Sequence, residues 1–300
     1  MDAPQVLSMV DNADDTLGFF EKIARAHQKR RPVFVALEQV ETLDFDAVPV
    51  LISHLTSFRE DGIVFRGDYP RNANAHKRLY ASGFFKLLKV AHFMPRPAYS
   101  LGNAKAGCMT HAQKNVEQGF TKEVIREASI AVWGKERRSN GTQTALIELM
   151  QNTNNHAAPR KGEKHWWLTV DHRPAENRAI FTFVDLGVGV FKSLDGSTKW
   201  ANWRTFFGLL GGGDSNAENL RLILAGELHR TVTKQEFRGK GLPAINRALN
   251  QGWISNLRII TNDVYADVSK QVFQTLKHPF TGTLLSWEMR ADNKSLEALP

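Results

Sequence analysis

LIELMQNTNNHA, residues 146–157, is the stretch from which the rest of the chain is read. Drawn as a helix, it puts Glu148 and Asn152 at i and i+4, one turn apart on one face. Asn155 continues that stripe at i+7, while Leu146, Leu149 and Met150 fall largely on the other side. A carboxylate and a carboxamide so spaced can set a general base beside an oxygen-ligated metal ion. Alone, Glu148 reads as a solvated helix residue. His156 reads as a packing or hydrogen-bonding residue.

Two glycine stretches follow in order. In FVDLGVGV, residues 183–190, Asp185, Gly187 and Gly189 come directly after a β-like run. Taken singly this is an ordinary Asp-Gly turn. In RGKGL, residues 238–242, Gly239 and Gly241 precede an apolar helix with Pro243 in its first turn. Backbone N–H groups at a glycine-rich helix start bind phosphate, and the helix dipole helps. Neither a Walker lysine motif nor a dinucleotide fingerprint fits GKGLPA, whose spacing and setting differ.

Together and in this order, the three stretches resemble the ATP-binding boxes of the GHKL family, named for gyrase, the heat-shock chaperone, histidine kinases and mismatch-repair ATPases. ELMQNTNNHA looks like the histidine-kinase form of the first box, with Thr153 where a small alanine is usual. The resemblance covers about residues 112–290. It implies ATP and Mg²⁺, with Asn152 coordinating the metal and Glu148 orienting or deprotonating a water or a hydroxyl nucleophile. It implies that Asp185 accepts from the adenine amino group while Gly187 and Gly189 let the turn pass close under the base. Arg238, Gly239, Lys240, Gly241 and Leu242 would hold the phosphates. GTLLSW at 282–287 resembles the closing motif, placing Thr283 near the adenine. The insert 191–238, with Trp200, Trp203, Phe206, Phe207 and Gly211–Gly213, occupies the place of the lid over ATP; read without the resemblance, it is a surface subdomain.

The surrounding pattern is α/β. Helical periodicity over 112–134 and a second helix over about 142–157 precede two strands, HWWLTVDH (165–172) and RAIFTFVDLG (178–187), joined by RPAEN (173–177). LRIITN (257–262) and GTLLSWEM (282–289) read as further strands. The expected fold is a two-layer α/β sandwich of the Bergerat ATP-binding type over 106–300, preceded by a smaller α/β domain over 1–105. In that first third, VFVAL (33–37) and GIVFRG (62–67) read as strands. Residues 44–61 read as a helix with Asp44 or Asp46 at its N-cap, and 72–90 as a helix with a soft point at Gly83. This segment loosely resembles the STAS domain of anti-sigma-factor antagonists. Leu43–Val48 offers Asp44 and Asp46 but no hydroxyl, so no serine-phosphorylation switch is expected there. The expected role is a plain interaction or packing domain.

Composition narrows the classes. Of 300 residues 42% are apolar, and no apolar run is long enough to span a bilayer. The acidic start MDAPQVLSMVDNADD lacks an apolar signal core, and Cys108 is the only cysteine. A disulfide within the chain is excluded, and a reducing cytoplasm is the expected location. The net charge of +8 is scattered, and no helix-turn-helix, zinc-finger or RNA-binding aromatic signature accompanies it. The expected partners are ATP, a protein and, as one option, a second copy of the chain, with no membrane and no nucleic acid. The activity implied is a slow ATPase or a serine/threonine protein kinase of the anti-sigma type. The alternative is a nucleotide-switched interaction module without turnover.

Overall fold

The structure, a computed structural model, describes residues 1–88, 108–111, 118–156, 166–194, 215–225 and 241–297. Helices and strands mix throughout, so the class is α/β. The chain divides into two compact units: Met1–Thr110 with Thr169–Asp171, and His111–Leu168 with His172–Pro300. Among the described residues no helix is long and apolar enough to cross a membrane.

In the first unit, β1 (Val6–Leu7) pairs in parallel with β3 (Thr42–Leu43), and β2 (Val33–Val35) in parallel with β4 (Phe65–Gly67). A parallel bridge from Asp2 to Ala36 links the two pairs. Helix α1 (Ala13–Gln28) places Asp14 and Asp15 in its first turn and Arg25 and His27 in its last, each charge opposing the nearer end of the helix dipole. Its Leu17, Phe20 and Ile23 are buried, and α1 packs on α2 (Val48–Glu60).

Two expectations need correction here. Neither Asp44 nor Asp46 caps α2. The cap position is Ala47, with no side-chain hydrogen bond. Asp46 turns away and accepts from the backbone N–H of Met9 at 3.0 Å and of Val10 at 3.1 Å, and from the Ser8 hydroxyl at 3.3 Å. A buried carboxylate is satisfied better by three donors on the β1–α1 loop than by one helix end. Burial, with Asp44 adding, still pushes its pKa up to about 7, against the pull of those two backbone donors. The helix expected over 72–90 is broken into α3 (Ala73–Ala81) and α4 (Phe84–Leu88), because Gly83 takes φ +80° and Ser82 ends the first segment.

The His54 ring stacks on Phe20 at 5.6 Å, and the His27 ring lies 5.0 Å from Phe58. Burial, with the charge of His27 adding, lowers the His54 pKa from 6.5 to about 4. A depressed histidine stays neutral when folded. Its stabilising share is therefore complete above pH 6.5 and is lost as the pH falls toward 4. His54 is only half-buried, which reduces the effect to about 2 kcal/mol. Urea unfolding at about pH 7 and about pH 4.5 should show a stability drop that His54→Phe diminishes by that amount. An equal drop in both proteins would assign the acid sensitivity to other groups.

Most of a five-stranded sheet lies in the second unit, with Cys108–Thr110 and Thr169–Asp171 belonging to the first; its order is β5 (Cys108–His111), β7 (Trp166–Arg173), β8 (Arg178–Asp185), β10 (Val272–Arg290), β9 (Ser255–Asp267). Strand β10 is antiparallel to both β8 and β9. A short 3-10 turn, Pro174–Glu176, with Asn177 left-handed at φ +48°, connects β7 to β8. Helix α5 (Gln118–Trp133) packs on β8 and β10, α6 (Asn140–His156) lies against α5, and α9 (Gly241–Asn250) runs against α6. Helix α8 (Asn216–Ala225) packs on β9, β10 and α9. A Cβ on Gly141 would overlap the ring of Trp253, so α6 starts in close contact with the turn before β9. The two residues of β6 (Arg137–Arg138) pair with β11 (Leu296–Glu297).

Alternation along the strands puts cross-strand partners on one side of the sheet. Phe181 pairs with Trp287, their buried rings stacked at 5.3 Å, and Phe183 pairs with Leu285, itself opposite Ile259. Strands β9 and β10 run on past the end of β8 as a two-stranded arm, in which Val272 pairs with Asp267. At the root of the arm Asn262 is left-handed, φ +51°, and β10 carries register shifts on both sides of Phe280.

Candidate functional site

Two residues beyond Phe183 on the same side of β8 stands Asp185, the last residue of the strand. Its Cα partner is Thr283, whose own partner on β9 is Thr261. The row that follows Phe181–Trp287 and Phe183–Leu285–Ile259 is thus Asp185–Thr283–Thr261. One sheet face changes from apolar to polar at the end of β8. The register brings together Asp185 and Thr283, which lie 98 positions apart in sequence by their numbering (283 less 185).

The turn after β8 is held by its own carboxylate. Asp185 Oδ1 accepts from the N–H of Gly187 at 2.8 Å, the Asx geometry that aspartate favours. A Cβ at Gly187 would stand 3.0 Å from that oxygen. Gly189 takes φ +83°, and a Cβ there would lie 2.5 Å from Asn262 Oδ1. Gly189 is required by its positive φ and by the amide pressed against it, while at Gly187 a side chain would crowd the Asp185 carboxylate.

Thr261 and Asn262 fix this loop from β9, a role that sequence reading misses. Thr261 Oγ1 accepts from the N–H of Val190 at 3.0 Å, and Asn262 Oδ1 from that of Phe191 at 3.1 Å. Asn262 Nδ2 donates to the Val188 carbonyl at 3.0 Å. Val190 opens helix α7 (Val190–Leu194), so the two side chains satisfy amides of its first turn. The visible signal was the Thr-Asn ending of the otherwise apolar LRIITN run. Asn216 of α8 also reaches this region, donating to Asp263 Oδ1 at 2.7 Å.

The other expected site residues lie on the helices. Glu148 is half-buried on α6, and among the described residues its carboxylate has no ion-pair or hydrogen-bond partner. Asn152 belongs to the same helix, but the metal-ligand role falls on a side chain outside the described residues. Thr153 is buried and donates to the Leu149 carbonyl at 3.2 Å, so its hydroxyl is spent within the helix. Gly241 and Leu242 open α9, Gly241 being buried, and α9 lies along α6. Arg238, Gly239 and Lys240 lie outside the described residues, as do residues 195–214 and 226–238 of the expected lid. Among the described residues no three His, Cys, Asp or Glu side chains form a group able to hold a metal ion.

A carboxylate, a hydroxyl and a loop pinned at two glycines can receive a flat, donor-bearing group at the end of β8. A second carboxylate stands on α6, the helix beside the glycine-started α9. Comparison with known proteins leaves the geometry to stand by itself: no family model, curated protein or solved structure matches this chain.

Proposed function

We propose that this chain binds Mg²⁺-ATP in a Bergerat-type site of the GHKL kind and turns it over, as a slow ATPase or as a serine/threonine protein kinase acting on a protein partner. The observation that carries the reading is the pairing of Asp185 with Thr283 across β8 and β10. An ionised carboxylate only accepts hydrogen bonds, which suits the adenine amino group. The glycines at 187 and 189 keep Cβ atoms out of the loop beside it.

The donor set also fits the metal. Mg²⁺ keeps most of its waters and takes few protein oxygens, so the Asn152 carboxamide suffices and no protein cage is needed. Bound with ATP, the ion neutralises charge on the phosphates. Around it, Arg238–Leu242 would hold phosphate oxygens with backbone N–H groups at the start of α9. Glu148, which has no partner among the described residues, would take the proton of the attacking water or hydroxyl. The first unit, with its parallel strand pairs and helices, is read as a STAS-like domain that meets the protein partner.

Calorimetry with ATP and Mg²⁺ tests the reading. The wild-type chain should bind ATP, and Asp185→Asn should bind it roughly tenfold to a hundredfold more weakly, the worth of a hydrogen bond to a charged group. The carboxamide also presents a donor where two donors would then meet. Equal affinity in the two proteins would remove Asp185 from the site.

A further inference from the structure

The hydroxyl of Thr261 has one proton and two lone pairs, and four neighbours compete for them; the most distant, Asn262 Oδ1 at 3.5 Å, can only accept and so calls on the same proton as the Gly282 carbonyl. The N–H of Val190, at 3.0 Å, can only donate, so it occupies one lone pair. The carbonyl oxygen of Gly282, also at 3.0 Å, can only accept, so it takes the proton. Thr283 Oγ1, at 3.1 Å, meets the remaining lone pair and must donate to it. The reverse assignment would leave Thr261 Oγ1 and the Gly282 oxygen 3.0 Å apart with no proton between them, at a fully buried position. That arrangement carries the cost of an unsatisfied buried acceptor.

We infer that Thr261 is a positioning residue that sets the polarity of the Thr283 hydroxyl and so the base selectivity of the site. The Thr283 proton is committed inward, and Thr283 offers a ligand lone pairs alone. Its row neighbour Asp185 is likewise an acceptor. The row therefore favours a base with an exocyclic amino group and opposes one with an oxo group in that place. Thr261 does this without meeting the ligand, since it is fully buried. The inference rests on the ATP reading and deepens it: selectivity for amino over oxo is built two strands away from Asp185.

The test compares ATP with inosine triphosphate, which carries an oxo group where ATP carries the amino group. Calorimetry with Mg²⁺ gives the ratio of the two affinities. Thr261→Val keeps the shape, removes the acceptor and frees the Thr283 proton to turn outward. Its ATP preference should fall roughly tenfold, one hydrogen bond's worth, and Thr261→Ser should restore it. A purely structural role would weaken both nucleotides together and leave the ratio alone. Should Thr261→Val fail to fold, Thr283→Ala provides the same reading, because it deletes the acceptor and should lower the ratio by a similar factor. Folded Thr261→Val with the wild-type ratio overturns the inference while ATP binding stands, and so does an unchanged ratio in Thr283→Ala. A wild-type chain that binds neither nucleotide overturns the ATP reading, and the inference with it.

Discussion

Glu148→Ala should leave ATP affinity unchanged while turnover falls roughly 10²–10⁴-fold, the usual share of a general base. The expectation follows from the helix. Glu148 and Asn152 stand one turn apart on α6, so a metal held at Asn152 puts the carboxylate within reach of a water beside the terminal phosphate. The carboxylate is half-buried and, among the described residues, has no cation or donor to hold it elsewhere. Removing it deletes a proton acceptor without opening a cavity in the core, because the buried side of α6 is made by Ala145, Leu146, Leu149 and Met150. Calorimetry and phosphate release, measured on the same preparation with and without candidate partner proteins, separate binding from chemistry. Wild-type turnover in the mutant would transfer the role of base to another residue. ATP binding with neither release nor protein labelling in the wild type would favour a nucleotide switch.

Gly282→Ala should destabilise the chain by about 3–4 kcal/mol and abolish ATP binding. Gly282 sits at φ +136°, a region side chains avoid, and a Cβ there would overlap the carbonyl oxygen of Asp185. The Phe280 ring, 3.2 Å from the same point, blocks the other escape. Strands β8 and β10 could relieve the overlap only by separating at Asp185–Thr283, the pair on which the site rests. Gly62→Ala is the matched control. Gly62 also has positive φ, +66°, but a Cβ there meets nothing within 4 Å. Urea unfolding of both variants should show a small loss at 62 and a large one at 282. Equal losses would mean that backbone strain alone, and not the strand contact, sets the cost.

Periodicity and punctuation made much of this structure legible. The apolar runs at 166–173 and 178–185 are strands, and Gly241 with Pro243 opens a helix. Asp185 stood out because glycines follow it directly, and Thr283 because GTLLSW resembles the closing motif of the GHKL family. Their pairing could not be read locally, since it depends on how β8 and β10 align. The Thr261–Asn262 support was hidden for the same reason: its hydrogen bonds span 71 and 74 positions. Asp46 misled because an aspartate just before a helix is the ordinary capping signal. The backbone donors of Met9 and Val10 outcompete that role only once the β1–α1 loop is folded over it. Helix α1 went unread because Asn12 and the acidic Asp14–Asp15 pair looked like a polar chain start.

Asn262 also puts β9 out of phase with itself. Before it, Leu257 and Ile259 are fully buried with Arg258 half-buried between them, and Ile260 and Thr261 are both fully buried; beyond it, the even-numbered Val264 and Ala266 are buried and alternate with the half-buried Asp263 and Tyr265. A strand of uninterrupted phase sends consecutive side chains to opposite faces. The left-handed residue lets Thr261 and Asn262 serve consecutive amides of one loop, and the arm beyond them begins a new alternation. Insertions and deletions are therefore unequal along this hairpin. At the tip, near residues 268–271, a change of length leaves both alternations intact. One residue removed between Thr261 and Val264 would turn the buried side of the arm outward and unpin the loop after Asp185 in a single event.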